Sequence, residues 1–159
     1  MRAAAVLCLG VALAGCQSAP PPPHFTLEVA RFFLESADSS AELVTLPRSG
    51  VQISVLPKAA FTEYDFVSVA MAETDLGQCL KFNLTPAAGR DLYRLSAANP
   101  GRRLVITLGG VPFGARQMDQ PIENGKLLIF IETPDAALPA LVASLNETCA
   151  ALRPAAAKR

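Results

Sequence analysis

Gln78-Cys79-Leu80-Lys81-Phe82-Asn83-Leu84-Thr85-Pro86-Ala87-Ala88 changes its period half-way along. Up to Leu84 the repeat is two residues: Leu80, Phe82 and Leu84 fall on one face and Lys81 and Asn83 on the other, which predicts a strand with one face in a core. Thr85 and Pro86 then read as a helix cap and a first-turn proline. Beyond them Ala88, Leu92 and Leu95 recur at helical spacing opposite Arg90 and Arg94. A strand passing directly into an amphipathic helix points to an α+β chain, with the helix laid on the sheet.

Working outward, Asn99-Pro100-Gly101 ends that helix, and Asn99 and Gly101 both suit positive backbone dihedrals. Leu104 to Leu108 and Val111 to Ala115 flank Gly109-Gly110, which is a hairpin signal. Leu127 to Ile131 reads as a last strand. The closing helix carries Leu138, Leu141, Val142, Leu145, Cys149 and Leu152 as one apolar stripe. Pro139 would cost a helix begun at Asp135 an early hydrogen bond, so the regular part is expected to start nearer Leu138. Towards the N-terminus, Thr26 to Glu35, Glu42 to Leu46, Val51 to Val55 and Phe66 to Ala72 are rich in β-branched or aromatic residues, with Pro47, Ser49-Gly50 and Pro57 as punctuation. The expectation is a single α+β domain over residues 25–152, a mostly antiparallel sheet with two helices packed on it, and a flexible tail over 153–159.

The chain opens differently. Met1-Arg2 gives a positive start and Ala3 to Ala14 an apolar run, the pattern of a signal-peptide core. As a helix the run rises about 18 Å, well short of the roughly 30 Å of bilayer hydrocarbon, and no later stretch is long enough to span it. Leu13-Ala14-Gly15-Cys16 resembles the lipobox of bacterial lipoproteins, which implies cleavage after residue 15 and lipid on Cys16. Gln17 after that cysteine implies the outer membrane, facing the periplasm. Residues 16–24 then form a linker in which Pro20 to Pro23 favour a stiff polyproline spacer, advancing about 3.1 Å per residue.

Of the 14 basic side chains Arg2 leaves with the signal, so 13 face 14 acidic ones, and this near-neutral balance makes nucleic acid an unexpected partner. Among the 4 cysteines, Cys8 leaves with the signal and Cys16 takes lipid. Cys79 and Cys149 remain as a pair in an oxidising compartment, where a disulfide is expected. It would close a loop of about 70 residues and contribute about 4 kcal/mol. Alternation opposes it: Cys79 falls with Lys81 and Asn83, away from the face that an apolar helix stripe bearing Cys149 should cover, and two buried free thiols are the alternative.

Leu84-Thr85-Pro86-Ala87-Ala88, Leu95 to Ile106 with its Asn99-Pro100-Gly101-Arg102 turn, Val111, and Pro121-Ile122-Glu123-Asn124-Gly125-Lys126 before a strand and a helix form an ordered series. It resembles the head subdomain of the first periplasmic domain of SecD and SecDF. The order holds throughout residues 78–146, with Phe32 to Glu35 matching the strand that opens that domain. Ser96 stands where the family has Thr, and Gly109-Gly110 where it has a polar turn. The matched residues are conformational rather than catalytic. What the resemblance implies is a fold, and with it the holding or guiding of polypeptide on the far side of the translocon, without the transmembrane segments that couple such work to proton flow.

Residues that bear chemistry are sparse. His24 lies beside the proline linker with no acid or nucleophile fixed near it, so a Ser-His-Asp arrangement is not expected. No closely spaced Cys/His cluster occurs, and neither metal nor cofactor is expected. Glu63 with Asp65, and Glu73 with Asp75, could mimic a carboxylate dyad, but they flank turns and read as solvated loop charges. Phe32 and Phe33 are adjacent, so a regular strand sends them to opposite faces, and one facing outward beside a sheet edge would receive an extended peptide by strand addition. The alternative is a strand covered on both faces. These features together predict a non-enzymatic envelope lipoprotein that binds polypeptide, or else a structural subunit of one dedicated envelope assembly.

Overall fold

A computed structural model describes residues 28–156; the expected signal segment, Cys16, the proline linker and His24 lie outside the described residues. Eight strands and two helices follow in the order β1 (Ala30–Leu34), β2 (Glu42–Thr45), β3 (Gln52–Val55), β4 (Phe66–Thr74), β5 (Gly77–Leu84), α1 (Pro86–Ala98), β6 (Arg103–Leu108), β7 (Val111–Gln117), β8 (Lys126–Ile129) and α2 (Leu138–Ala156). They make three antiparallel sheets, β1-β6-β7, β2-β3 and β4-β5-β8. The class is α+β, as the change of period at Leu84 predicts. No helix among the described residues is long and apolar enough to cross a membrane.

One core fills the space between the two three-stranded sheets and the helices. β5 sends Leu80, Phe82 and Leu84 into it, β6 sends Leu104, Ile106 and Leu108, α1 sends Ala88 and Leu92, and α2 sends Leu138, Leu145 and Cys149. At its centre Phe32, Phe66 and Phe82 meet edge to face, with ring centroids 5.6, 5.1 and 5.1 Å apart, the arrangement that aromatic quadrupoles favour. β6 is buried from Leu104 to Leu108 because its other face is also covered. There Val105 packs with Leu46, Ile53 and Val55 beneath the β2–β3 hairpin. A strand covered on both faces reads as a near-continuous apolar run, as Leu104 to Leu108 does with Thr107 its one polar member.

The motif residues explain themselves locally. Thr85 Oγ1 accepts the Ala88 N–H at 3.3 Å and caps α1. The Ser96 hydroxyl donates to the Leu92 carbonyl at 2.7 Å and accepts the Ile122 N–H at 2.9 Å, tying the Pro121-Ile122 segment to the helix. Gly109 and Gly110 turn the β6–β7 hairpin with φ of 56° and 87°. Gly114 brings the sheets together by bridging Ile131, so closely that a Cβ there would run into the Phe130 carbonyl.

Two expectations are corrected. Gly101 has φ of 80°, but Asn99 keeps a negative φ of −131° with ψ of 55°, its amide instead donating to the Leu95 carbonyl at 2.9 Å as a side-chain cap. α2 follows a short 3-10 turn over Asp135–Ala137 and begins at Leu138, as Pro139 requires. It then continues to Ala156, so the first residues of the expected tail are helical.

Candidate polypeptide-docking edge

The structure leaves neither aromatic singled out for peptide capture facing outward beside a free edge. Phe32 is 0% exposed in the main core, and Phe33 packs half-buried against the second cluster beneath β2–β3. The edge of β1 is closed too. Main-chain groups of residues 54–61 bond to it, Phe32 N–H to the Phe61 carbonyl at 2.9 Å, Ala60 N–H to the Phe32 carbonyl at 2.7 Å and Leu56 N–H to the Leu34 carbonyl at 2.9 Å. No strand can add there. Regular alternation is the reason: with one aromatic drawn into the core, the other faces the hairpin that the following residues lay over it.

The expected disulfide is likewise absent, and Cys79 and Cys149 are free, buried thiols. Cys149 packs into the main core with α2, whereas Cys79 points to the opposite face of β5, toward Arg116. A β-sheet lies between them. Burial raises the pKa of both thiols, with a small opposing effect from Arg116 on Cys79 and from Arg153 on Cys149.

The carboxylate pairs do not converge either. Glu63 is gripped by Arg31 in two bonds of 3.1 and 3.2 Å, which hold its carboxyl below the ordinary range. Asp65 accepts the Thr62 N–H at 2.8 Å within the 3-10 turn Glu63–Asp65. Glu35 forms a second paired bridge, to Arg103 at 2.6 and 3.0 Å, and is lowered by those hydrogen bonds. Among the described residues no group of three or more His, Cys, Asp or Glu side chains could hold a metal. A groove of about 770 Å³ runs between α1 and the Asn124-Gly125 turn and is lined by Arg90, Tyr93, Arg94 and Glu123. It is open to solvent.

A sheet edge is open elsewhere. β4 and β5 form one hairpin around Asp75-Leu76, in register from Ser68 opposite Asn83 to Thr74 opposite Gly77. Antiparallel alternation turns the main-chain groups of Val69, Met71 and Glu73 away from β5. Those of Val69 are taken: the Asn146 carboxamide of α2 accepts its N–H at 2.9 Å and donates to its carbonyl at 2.7 Å, as a neighbouring strand would. Arg153 donates to the Val67 carbonyl at 2.9 Å. Among the described residues nothing bonds the outward groups of Met71 and Glu73. Met71 is 38% exposed and Leu76, at the tip, 86%. Glu73 and Asp75 are exposed and enter none of the ion pairs among the described residues.

The other edges differ. β7 and the segment after β8 face one another, with the Glu132 N–H on the Phe113 carbonyl at 2.6 Å and Arg116 on the Leu128 carbonyl at 2.7 Å. β2 also lacks an outer neighbour, but it has four residues in a two-stranded hairpin, the short kind of edge that discourages pairing. Sequence reasoning missed the β4 edge because Phe66 to Ala72 and Gln78 to Leu84 read as separate strands. Asp75-Leu76-Gly77 between them was the available turn signal, and Asn146, a polar residue beside the apolar stripe of α2, was the other.

No protein-family model matches the chain, and no curated protein matches it. Solved structures do. One is a chain from the structure of SecDF, a membrane component that enhances protein export, with a TM-score of 0.59 and 14% identity over 77% of this chain and 63% of that one. Another is SecDF in the super-membrane-facing form, with a TM-score of 0.60 and 17% identity over 77% of this chain and 19% of that one. This chain thus spans under two thirds of either, and what it shares with them is the SecD-like α+β fold.

Proposed function

We propose that this chain is a non-enzymatic bacterial envelope lipoprotein, lipidated on Cys16, that binds polypeptide in the periplasm as an accessory to protein export or folding. The observation that carries this reading is the fold, shared over 77% of the chain with SecDF, a component that enhances protein export. Leu13-Ala14-Gly15-Cys16 supplies the anchor, Gln17 directs it to the outer membrane, and Pro20 to Pro23 hold the domain off the lipid.

The test uses the full chain purified in detergent and a reduced, fluorescently labelled secretory protein kept unfolded. Saturable binding to the unfolded form, and none to its folded form, is the expected result. Failure to bind, together with recovery from membranes at fixed stoichiometry with one partner, would make the chain a structural subunit instead. Cys16→Ser should release the protein from the membrane fraction; if it stays, the lipid assignment falls.

A further inference from the structure

We infer that the outward edge of β4 at Met71 and Glu73 is the polypeptide site, and that it takes an extended segment carrying an apolar and a basic side chain two residues apart. The inference rests on the polypeptide-binding reading and gives it a place and a selectivity. The protein itself shows which chemistry this edge accepts: next along the strand, the Asn146 carboxamide fills the Val69 position, donating and accepting as a peptide group does. Met71 and Glu73 present the same donor–acceptor pairs with nothing on them. A strand added there would continue the β4-β5-β8 sheet, its main chain supplying affinity and its alternate side chains selectivity.

Those side chains have defined neighbours. Met71 and Glu73 lie two apart and so share a face, as i and i+2 residues do. The incoming residue opposite Met71 meets a half-exposed thioether, which suits an apolar group. Two positions along, its neighbour meets Glu73, with Asp75 close by in the turn, and a lysine or arginine suits that pair. A second copy of this chain fits less well. Two β4 edges related by a two-fold axis would set Met71 beside Glu73 twice, over a contact of only two outward residues each, far below the area a stable dimer buries.

The probe is a labelled octapeptide, Thr-Val-Thr-Lys-Thr-Val-Thr-Lys, titrated onto the full chain in detergent and read by fluorescence anisotropy. Two controls are the same peptide with alternate residues N-methylated, and the peptide with Glu in place of Lys. Met71→Pro removes an outward N–H and no bond to β5, so it should leave the sheet paired while blocking the edge. It is expected to weaken binding at least tenfold, as should N-methylation; Glu73→Lys should weaken the Lys peptide and strengthen the Glu peptide. Leu43→Pro, the same change at the edge of β2, should leave binding unaltered. If Met71→Pro unfolds the chain, Glu73→Lys and the N-methylated peptide decide. Binding of the octapeptide or of the unfolded protein that is indifferent to both edge variants would overturn the β4 site and leave the polypeptide reading standing. Absence of binding to peptide and unfolded protein alike would remove that reading with it. A concentration-dependent dimer abolished by Met71→Pro, with no peptide bound, would overturn the inference in favour of self-pairing.

Discussion

β1 and β4 are both edge strands, and they are finished in opposite ways. The edge of β1 is sealed by main chain, since residues 54–61 lie along it with bonds to Phe32 and Leu34. The edge of β4 is held by side chains, Asn146 and Arg153 of α2, and their reach stops at Val69. A seal made of backbone survives a single side-chain substitution in the residues that form it, proline excepted. One made by a side chain depends on that residue.

The largest expected effect lies on the sealed side. Phe32→Ala removes one ring of the aromatic trio and should cost about 3–5 kcal/mol in urea unfolding, without exposing a usable edge. Asn146→Ala should cost less, about 1–3 kcal/mol for two orphaned main-chain groups, yet it lengthens the open edge to Val69. It should therefore tighten binding of the valine–lysine octapeptide up to about tenfold, a gain of roughly 1.4 kcal/mol. A destabilised variant with unchanged affinity would mean that the clamp does not limit the site.

Acid should separate the two edges next. Glu35 on Arg103 and Glu63 on Arg31 fasten the β1 side, and both carboxyls are held below their ordinary range by those hydrogen bonds. Glu132 is lowered too: burial pushes it up, but hydrogen bonds from Ser49 and the Arg48 N–H outweigh that. In each case the unfolded chain takes up protons first as pH falls. The stabilisation is thus complete above the ordinary carboxylate range and is lost as pH drops through the depressed folded values. The melting temperature should hold from neutrality to about pH 5 and fall below it. Glu35→Gln should lower stability near neutrality by about 1 kcal/mol and flatten the acid slope. Amide protection, taken relative to intrinsic exchange at each pH, should fall in acid first along β1, because the Asn146 clamp does not titrate. The smallest effect is none at all: with Cys79 and Cys149 unbridged across β5, a reducing agent should leave the melting temperature unchanged, and a drop would restore the disulfide.

Most of the architecture was legible because it rests on local periodicity. The strand at Gln78 to Leu84, the Thr85 cap, the glycine hairpin and the start of α2 all follow from residue spacing, and alternation alone already set Cys79 against the disulfide. What the sequence hid were contacts across long separations. The cover over Phe33 comes from a hairpin some residues later, and the clamp on Val69 comes from Asn146 at a separation of 77 residues. No local pattern encodes which edge a later helix will reach, so the sequence placed strand addition at β1, whose edge the structure closes, and not at β4.

Phe66 to Ala72 reads Phe-Val-Ser-Val-Ala-Met-Ala, a run without charge or proline and rich in strand-forming residues. Uncharged runs of about six or seven such residues are what cross-β fibrils stack from. α2 is therefore also a guard rail. With Asn146 and Arg153 in place the run exposes too little edge to seed a stack, and a chain cut short before α2 should become a nucleus for aggregates.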